Sequence, residues 1–178
     1  VLSCCFLWSA FLCLDRFEIA KVLVIAPLRV ARDTWTAELQ KWDHLKCFTY
    51  ATVIGSVSER EAALRKKAHI YLINRENVSW LIEESGFPFD FDMIVIDELS
   101  SFKSYQAKRF RSLLRVRPTV KRIVGLTGTP AGNGLTDLWA EFRILDLGKR
   151  LGRFITHYRN RYFLPDKRNG MTVYSYKP

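Results

Sequence analysis

Histidine, methionine and paired cysteine are scarce in this chain of 178 residues, which holds three histidines, two methionines and four cysteines. Cys4, Cys5, Cys13 and Cys47 include no Cys-x-x-Cys pair, and no histidine stands at ligand spacing from them. That excludes a zinc knuckle and a disulfide framework and points to a reducing cytoplasm. Long apolar runs are also missing. The first 14 residues, VLSCCFLWSAFLCL, are too few to span a bilayer as a helix. They have neither a basic n-region nor a small-x-small cleavage site, so they read as a buried first helix or a disrupted start rather than a signal peptide. Acidic residues run out in the second part: residues 103–178 carry 17 Lys and Arg against 4 Asp and Glu, whereas residues 1–102 carry 11 against 14.

The net charge of +10 and pI near 9.7 therefore arise in the second part. Such a balance fits either a solvated basic face or a surface that tracks phosphates by releasing their counterions. Lys108, Arg109, Arg111, Arg115 and Arg117 are the densest candidates for a duplex-binding patch.

A hydrophobic content of 48% at this length supports a single core. Short β-branched runs at residues 22–26, 49–54, 69–73, 93–96 and 122–126 alternate with stretches of helical period. This alternation predicts an α/β fold, a parallel sheet covered by helices on both faces. Helices are expected over 30–42, with Trp35, Leu39 and Trp42 on one face, and over 59–67, behind a capping box of Ser58 and Glu61. Further helices are expected over 77–84, 104–115 and 135–145, the last with Leu138, Trp139, Phe142 and Leu145 along its buried stripe. After Gly148 arginines and aromatics interleave without a clean period, as Arg153, Phe154, Tyr158, Arg159, Arg161, Tyr162 and Phe163. Those residues suit base stacking or phosphate contact, helix packing, or a linker to another domain.

Ligands of open parallel sheets bind beyond the carboxyl ends of the strands, so the strand tips carry the functional question. One strand runs into Pro27, Leu28 and Arg29. Another ends in Asp97 and Glu98, adjacent carboxylates that need a cation or polar network beside an apolar strand. Asp97 suits a magnesium ion and Glu98 suits orientation of an attacking water, as in phosphoryl transfer. The third tip, Thr127-Gly128-Thr129-Pro130, offers two hydroxyls and a flexible glycine within reach of Glu98.

Taken together these segments resemble the Swi/Snf-type branch of the superfamily-two helicases. KVLVIAPLRV at 21–30 is similar to motif Ia, IVIDELSSFK at 94–103 to motif II, and GLTGTPAGNGLTDLW at 125–139 to motif III with its extension. The resemblance runs from about Lys21 to Phe163. It implies a three-layer RecA-like, P-loop NTPase-type first lobe of an ATP-driven translocase on double-stranded DNA, with ATP and Mg2+ as cofactors. Asp97 and Glu98 then match the metal-binding and catalytic acids of the Walker B box, and Thr127 to Pro130 match the element that couples ATP state to DNA grip. Pro27, Leu28, Arg29 and Lys103 match nucleic-acid-binding positions.

Two departures accompany the resemblance. The acidic box reads Asp97-Glu98-Leu99-Ser100, so Ser100 stands where the family has histidine and can offer a shorter hydrogen bond. No Gly-x-x-x-x-Gly-Lys-Ser/Thr occurs in the sequence. The implied organisation is a disrupted segment at 1–20, a RecA-like lobe at 21–147 that is incomplete at its N-terminus, and a basic, aromatic extension at 148–178 toward a second RecA-like lobe outside the chain. Without a P-loop lysine and a second-lobe arginine, the chain alone is expected to hydrolyse ATP negligibly. A non-catalytic nucleic-acid-binding module and a metal-dependent nuclease using Asp97 and Glu98 are the alternatives.

Overall fold

The computed structural model describes residues 19–132, 134–169 and 172–177. The apolar segment 1–14 lies outside them. Five strands form one sheet, β1 (Val22–Ala26), β2 (Tyr50–Val53), β3 (Ile70–Asn74), β4 (Met93–Asp97) and β5 (Arg122–Leu126), in the order β2-β3-β1-β4-β5. Every pairing between them is parallel. The expected α/β class and the expected strands are thus present, each within a residue or so of its predicted bounds.

The strands' β-branched runs are explained by burial on both sides. Leu23 and Ile25 of β1, Tyr71 and Ile73 of β3 and Ile94 and Ile96 of β4 enter one core. Their alternate neighbours Val22, Val24, Ile70, Leu72, Met93 and Val95 enter the other. This is the period of two that a pleated strand imposes, with both faces apolar because helices cover both. The outermost strand β5 is only half-buried.

On the second face a π-helical turn, Val30–Thr34, leads into α1 (Trp35–Lys41), which seats Trp35 and Leu39. The first face is covered by α2 (Val57–Arg65), α3 (Val78–Glu83), α4 (Lys108–Val116), α5 (Leu138–Asp146) and α6 (Ile155–Tyr162). A hairpin of β6 (Leu164–Asn169) and β7 (Thr172–Lys177) follows.

Several local expectations shift. The capping box of α2 is Ser56 with Glu59, two residues earlier than expected, because Gly55 at φ 97 turns the chain into the helix there. Helix α4 begins at Lys108 rather than at 104, since Tyr105 packs edge-on against Trp139 at 5.6 Å and holds a turn. In α5 the buried set is Trp139, Ala140, Glu141 and Ile144 instead of Leu138, Trp139, Phe142 and Leu145. The Trp139 indole donates to the Gly152 carbonyl at 3.0 Å, which fixes the helix's rotation. Residues after Gly148 fold onto the same core: Tyr158 and Phe163 are buried in it, and the Tyr158 hydroxyl donates to the Leu135 carbonyl at 2.8 Å.

Four of the five basic residues singled out between Lys108 and Arg117 are engaged within the fold, Arg111 being exposed. Lys108 pairs with Glu83 and Glu84 and Arg115 with Glu83, while Arg109 donates to the Ser101 carbonyl. Arg117 donates through Nε to Ile144 O, through Nη2 to Leu145 O and through Nη1 to Val120 O. The densest basic run in the sequence is therefore largely spent on its own protein.

Candidate functional site

The sheet order sets the site. β1 and β5 flank β4, so the three informative strand tips stand side by side although about a hundred residues separate the first from the last. Ile25 lies opposite Ile96, and Asp97 opposite Leu126, so Pro27, Glu98 and Thr127 continue neighbouring strands at one level.

Asp97 is half-buried at the end of β4, and its Oδ2 accepts a hydrogen bond from Trp35 Nε1 at 2.9 Å. The π-helical turn adds a residue to the winding just before Trp35 and so re-aims it toward the carboxylate. Glu98 takes a left-handed conformation, φ 61 and ψ 63, which costs a non-glycine residue roughly 1 kcal/mol. It is held there by hydroxyls: Ser100 Oγ donates to Glu98 Oε1, and Thr127 Oγ1 donates to the same oxygen at 3.2 Å. The Thr127 hydroxyl in turn accepts the backbone N–H of Thr129 at 3.3 Å. The acidic box and the Thr127 loop are thereby one hydrogen-bonded unit, linked through Glu98 itself, while Ser100 bonds within the box and, among the described residues, does not reach the loop.

Close packing underlies this contact. A Cβ built on Gly125 would stand 2.5 Å from Leu99 Cδ2, so the glycine lets the turn Leu99–Phe102 lie on β5 without displacing the Leu99 side chain. Gly128, Thr129 and Pro130 are exposed, as are Leu28 and Arg29 at the tip of β1. Lys103 is turned inward, its Nζ 3.7 Å from Asp137 Oδ2.

Sequence reasoning missed two participants. Trp35 was read as core alone, although a buried indole N–H needs an acceptor, and that need was a usable signal. Glu141, 2% exposed on α5, leaves Oε1 buried without a hydrogen-bond partner. Burial first, then the negative charges of Asp137 and Glu98, push its carboxyl up to about 7, with Lys103 opposing. Its place on the apolar side of an amphipathic helix was hidden by the mistaken stripe.

Among the described residues no group of three or more His, Cys, Asp or Glu is arranged to hold a metal. Asp97 with one oxygen engaged by Trp35 and one free suits Mg2+, which keeps its waters and is commonly held by one or two carboxylates together with substrate phosphates. A surface groove lined by Arg32, Thr52, Gly55, Glu59 and Lys66 lies at the β2 edge, and neither Asp97 nor Glu98 lines it. No helix among the described residues is long and apolar enough to cross a membrane.

Comparison with known proteins places this arrangement. A model of the SNF2-related domain matches residues 10–161. Protein p41 of Acyrthosiphon pisum secondary endosymbiont phage 1 is 39% identical over 156 residues, covering 84% of this chain and 34% of that protein. The DNA excision repair protein ERCC-6-like of Mus musculus is 30% identical over 152 residues, covering 80% of this chain and 12% of that protein. Among solved structures, the Sulfolobus solfataricus SWI2/SNF2 ATPase core in complex with dsDNA superposes with a TM-score of 0.70 at 24% identity, covering 86% of this chain and 30% of that one. The chain thus spans about a third of the phage protein and less of the mouse one. With its RecA-like sheet, its acidic strand tip and a family match across most of its length, the chain belongs to the SNF2-related domain family.

Proposed function

We propose that the chain is the first RecA-like lobe of an ATP-driven translocase on duplex DNA, with residues 21–147 as the nucleotide-facing part. The observation that carries this reading is the hydrogen-bonded unit of Asp97, Glu98, Ser100 and Thr127 at the carboxyl ends of adjacent parallel strands. The Sulfolobus neighbour's title names an ATPase core bound to dsDNA, and the mouse relative's names DNA repair, which supports nucleic acid as the partner.

Asp97 would hold Mg2+ through the carboxylate oxygen that Trp35 does not engage, with Trp35 fixing the carboxylate's orientation. Glu98 would orient the attacking water and accept its proton as the bond to the leaving ADP breaks. When bound, Mg2+–ATP would supply the phosphoryl group and the positive charge that offsets its developing negative charge. Thr127 and Ser100 restrain the Glu98 carboxylate, so a displacement of the exposed loop Gly128 to Pro130 moves the base, and a change at the base moves the loop. That loop and Leu28 and Arg29 face outward at the same sheet edge, where a DNA backbone can engage both; Lys103, tied to Asp137, contributes by holding the loop's following segment.

The phosphate-gripping lysine and the finger arginine come from outside these residues. The isolated chain is expected to show no DNA-stimulated phosphate release in a malachite-green assay. The same residues grafted in place of the matching segment of phage p41 are expected to support it, with D97N and E98Q each abolishing turnover. Robust turnover by the isolated chain, or full turnover by the D97N graft, overturns the assignment. A binding module without chemistry is favoured by one observation, the missing Gly-x-x-x-x-Gly-Lys-Ser/Thr; it predicts an inactive graft that still binds DNA.

A further inference from the structure

Residues 142–177 hold nine basic side chains against two acidic ones. Both acids are already engaged. Asp146 accepts the backbone N–H groups of Gly148, Lys149 and Arg150, and Asp166 pairs with Lys177. Where α4 spends its cations on Glu83 and Glu84, the α5–α6 corner has no carboxylates left to spend.

The arginines there lie against rings instead. Arg153 stacks over Phe154 at 5.9 Å and Arg161 over Tyr162 at 5.3 Å. Both arginines are exposed, and so are both rings, Phe154 at 57% and Tyr162 at 45%. Phe154, His157 and Arg161 recur at the three- and four-residue spacing of one helical face, opposite to no covering element among the described residues. Half-buried Arg143 of α5, whose proton affinity is lowered by burial and then by the charge of Arg153, has Asp146 opposing both, whereas among the described residues no carboxylate pairs with Arg153 or Arg161. Uncompensated guanidinium groups brought together at a surface are favoured by an anion that shares them.

The guanidinium groups also decide which part of a nucleic acid fits. Exposed and held beside a ring rather than paired with a carboxylate, each keeps its planar fork of N–H donors for oxygen, the geometry that matches a phosphate. Arg153 precedes α6 by two residues and Arg161 lies in its last turn, so the two flank a helix about 12 Å long, roughly three to four steps of a nucleic-acid strand. We infer that the outer face of α6, with Arg153 and Arg161, is a phosphate-contacting nucleic-acid surface that binds backbone rather than stacked bases. It shares with the function proposed above only the choice of nucleic acid as partner, and it lies on the helix after the α5–α6 corner rather than at the strand tips.

The test is fluorescence anisotropy of the full chain with a labelled duplex of about 20 base pairs between about 50 and 200 mM NaCl, where each lost phosphate contact lowers the salt slope by roughly 0.9. R153Q/R161Q is expected to lower the slope by about two and weaken binding at low salt by more than tenfold. R153K/R161K is expected to retain most of the slope, and F154A/Y162A to leave it unchanged. Circular dichroism verifies that each variant is folded. A slope unaltered by R153Q/R161Q while R29Q lowers it overturns this surface and leaves the strand-tip reading standing; the reverse pattern supports this surface and removes Arg29 from the contact. Loss of the slope in F154A/Y162A with the arginines intact overturns the backbone mode in favour of stacking. Displacement of the duplex by polyglutamate as readily as by unlabelled duplex overturns nucleic acid as the occupant, and absence of any binding by the wild-type chain overturns both readings.

Discussion

Glu141 gives the fold a pH dependence of defined sign. Its carboxyl is raised from 4.5 to about 7 in the folded chain, chiefly by burial and then by Asp137 and Glu98. A group raised in the folded state contributes stability that is fully present below its unfolded pKa, near 4.5, and is lost as pH rises through 7. At about 1.4 kcal/mol per pH unit the whole displacement is worth at most about 3 kcal/mol, of which about 2 kcal/mol falls between about pH 5.5 and pH 8.5. The carboxylates of Asp92 and Glu83 are shifted the other way, by bonds to Lys121 and to Ser112 respectively, so they act on the acid side of this window and leave it clear. E141Q keeps the shape and removes the charge. Urea unfolding followed by far-UV circular dichroism is expected to show wild-type stability falling by about 2 kcal/mol across that window and E141Q changing by less than about 0.5 kcal/mol. An E141Q curve as steep as the wild type's would refute the reasoning and place the titration elsewhere.

Three further substitutions probe the frame around the site. G125A forces a Cβ against Leu99 and is expected to destabilise by about 1–3 kcal/mol in urea, with a change within about 0.3 kcal/mol meaning that the turn yields freely. R117M leaves the carbonyls of Ile144, Leu145 and Val120 without their charged donor; a loss of about 3 kcal/mol and faster amide exchange in the last turn of α5 are expected, and unchanged exchange there would contradict the clamp. S56A removes the α2 capping box and is expected to lower stability by about 1 kcal/mol, whereas S58A is expected to do so by far less; equal effects would restore the box to Ser58.

How much was legible beforehand follows from which forces act locally. β1 coincides with its predicted bounds because a continuous apolar, β-branched run suits a strand covered on both faces, and β5 coincides although it is a half-buried edge strand. The acids at 97 and 98 and the Thr127 loop were visible because charge beside an apolar run is expensive and therefore informative. The rotation of α5 was not visible. Leu138, Phe142 and Leu145 are as apolar as the residues buried in their stead, and the choice was made by the Trp139 indole finding the Gly152 carbonyl across a loop. Glu141 went unnoticed with it. The emptiness of the α4 basic patch was equally hidden, since its neutralisation depends on Glu83 and Glu84 of α3, more than twenty residues away in the chain.

The strand order has a consequence for how the chain comes to be folded at all. Among the described strands β1 comes first and sits in the middle of the sheet, yet its two partners begin only at Ile70 and Met93. During synthesis Val22 to Ala26 stay unpaired along both edges until β3 has emerged, and along the second edge until β4 has. Non-local parallel pairing of this kind forms slowly and leaves an adhesive segment open in the interval. The strand at the centre of the sheet is therefore also an opportunity for misassembly, and a ribosome stalled before β3 has emerged would display it.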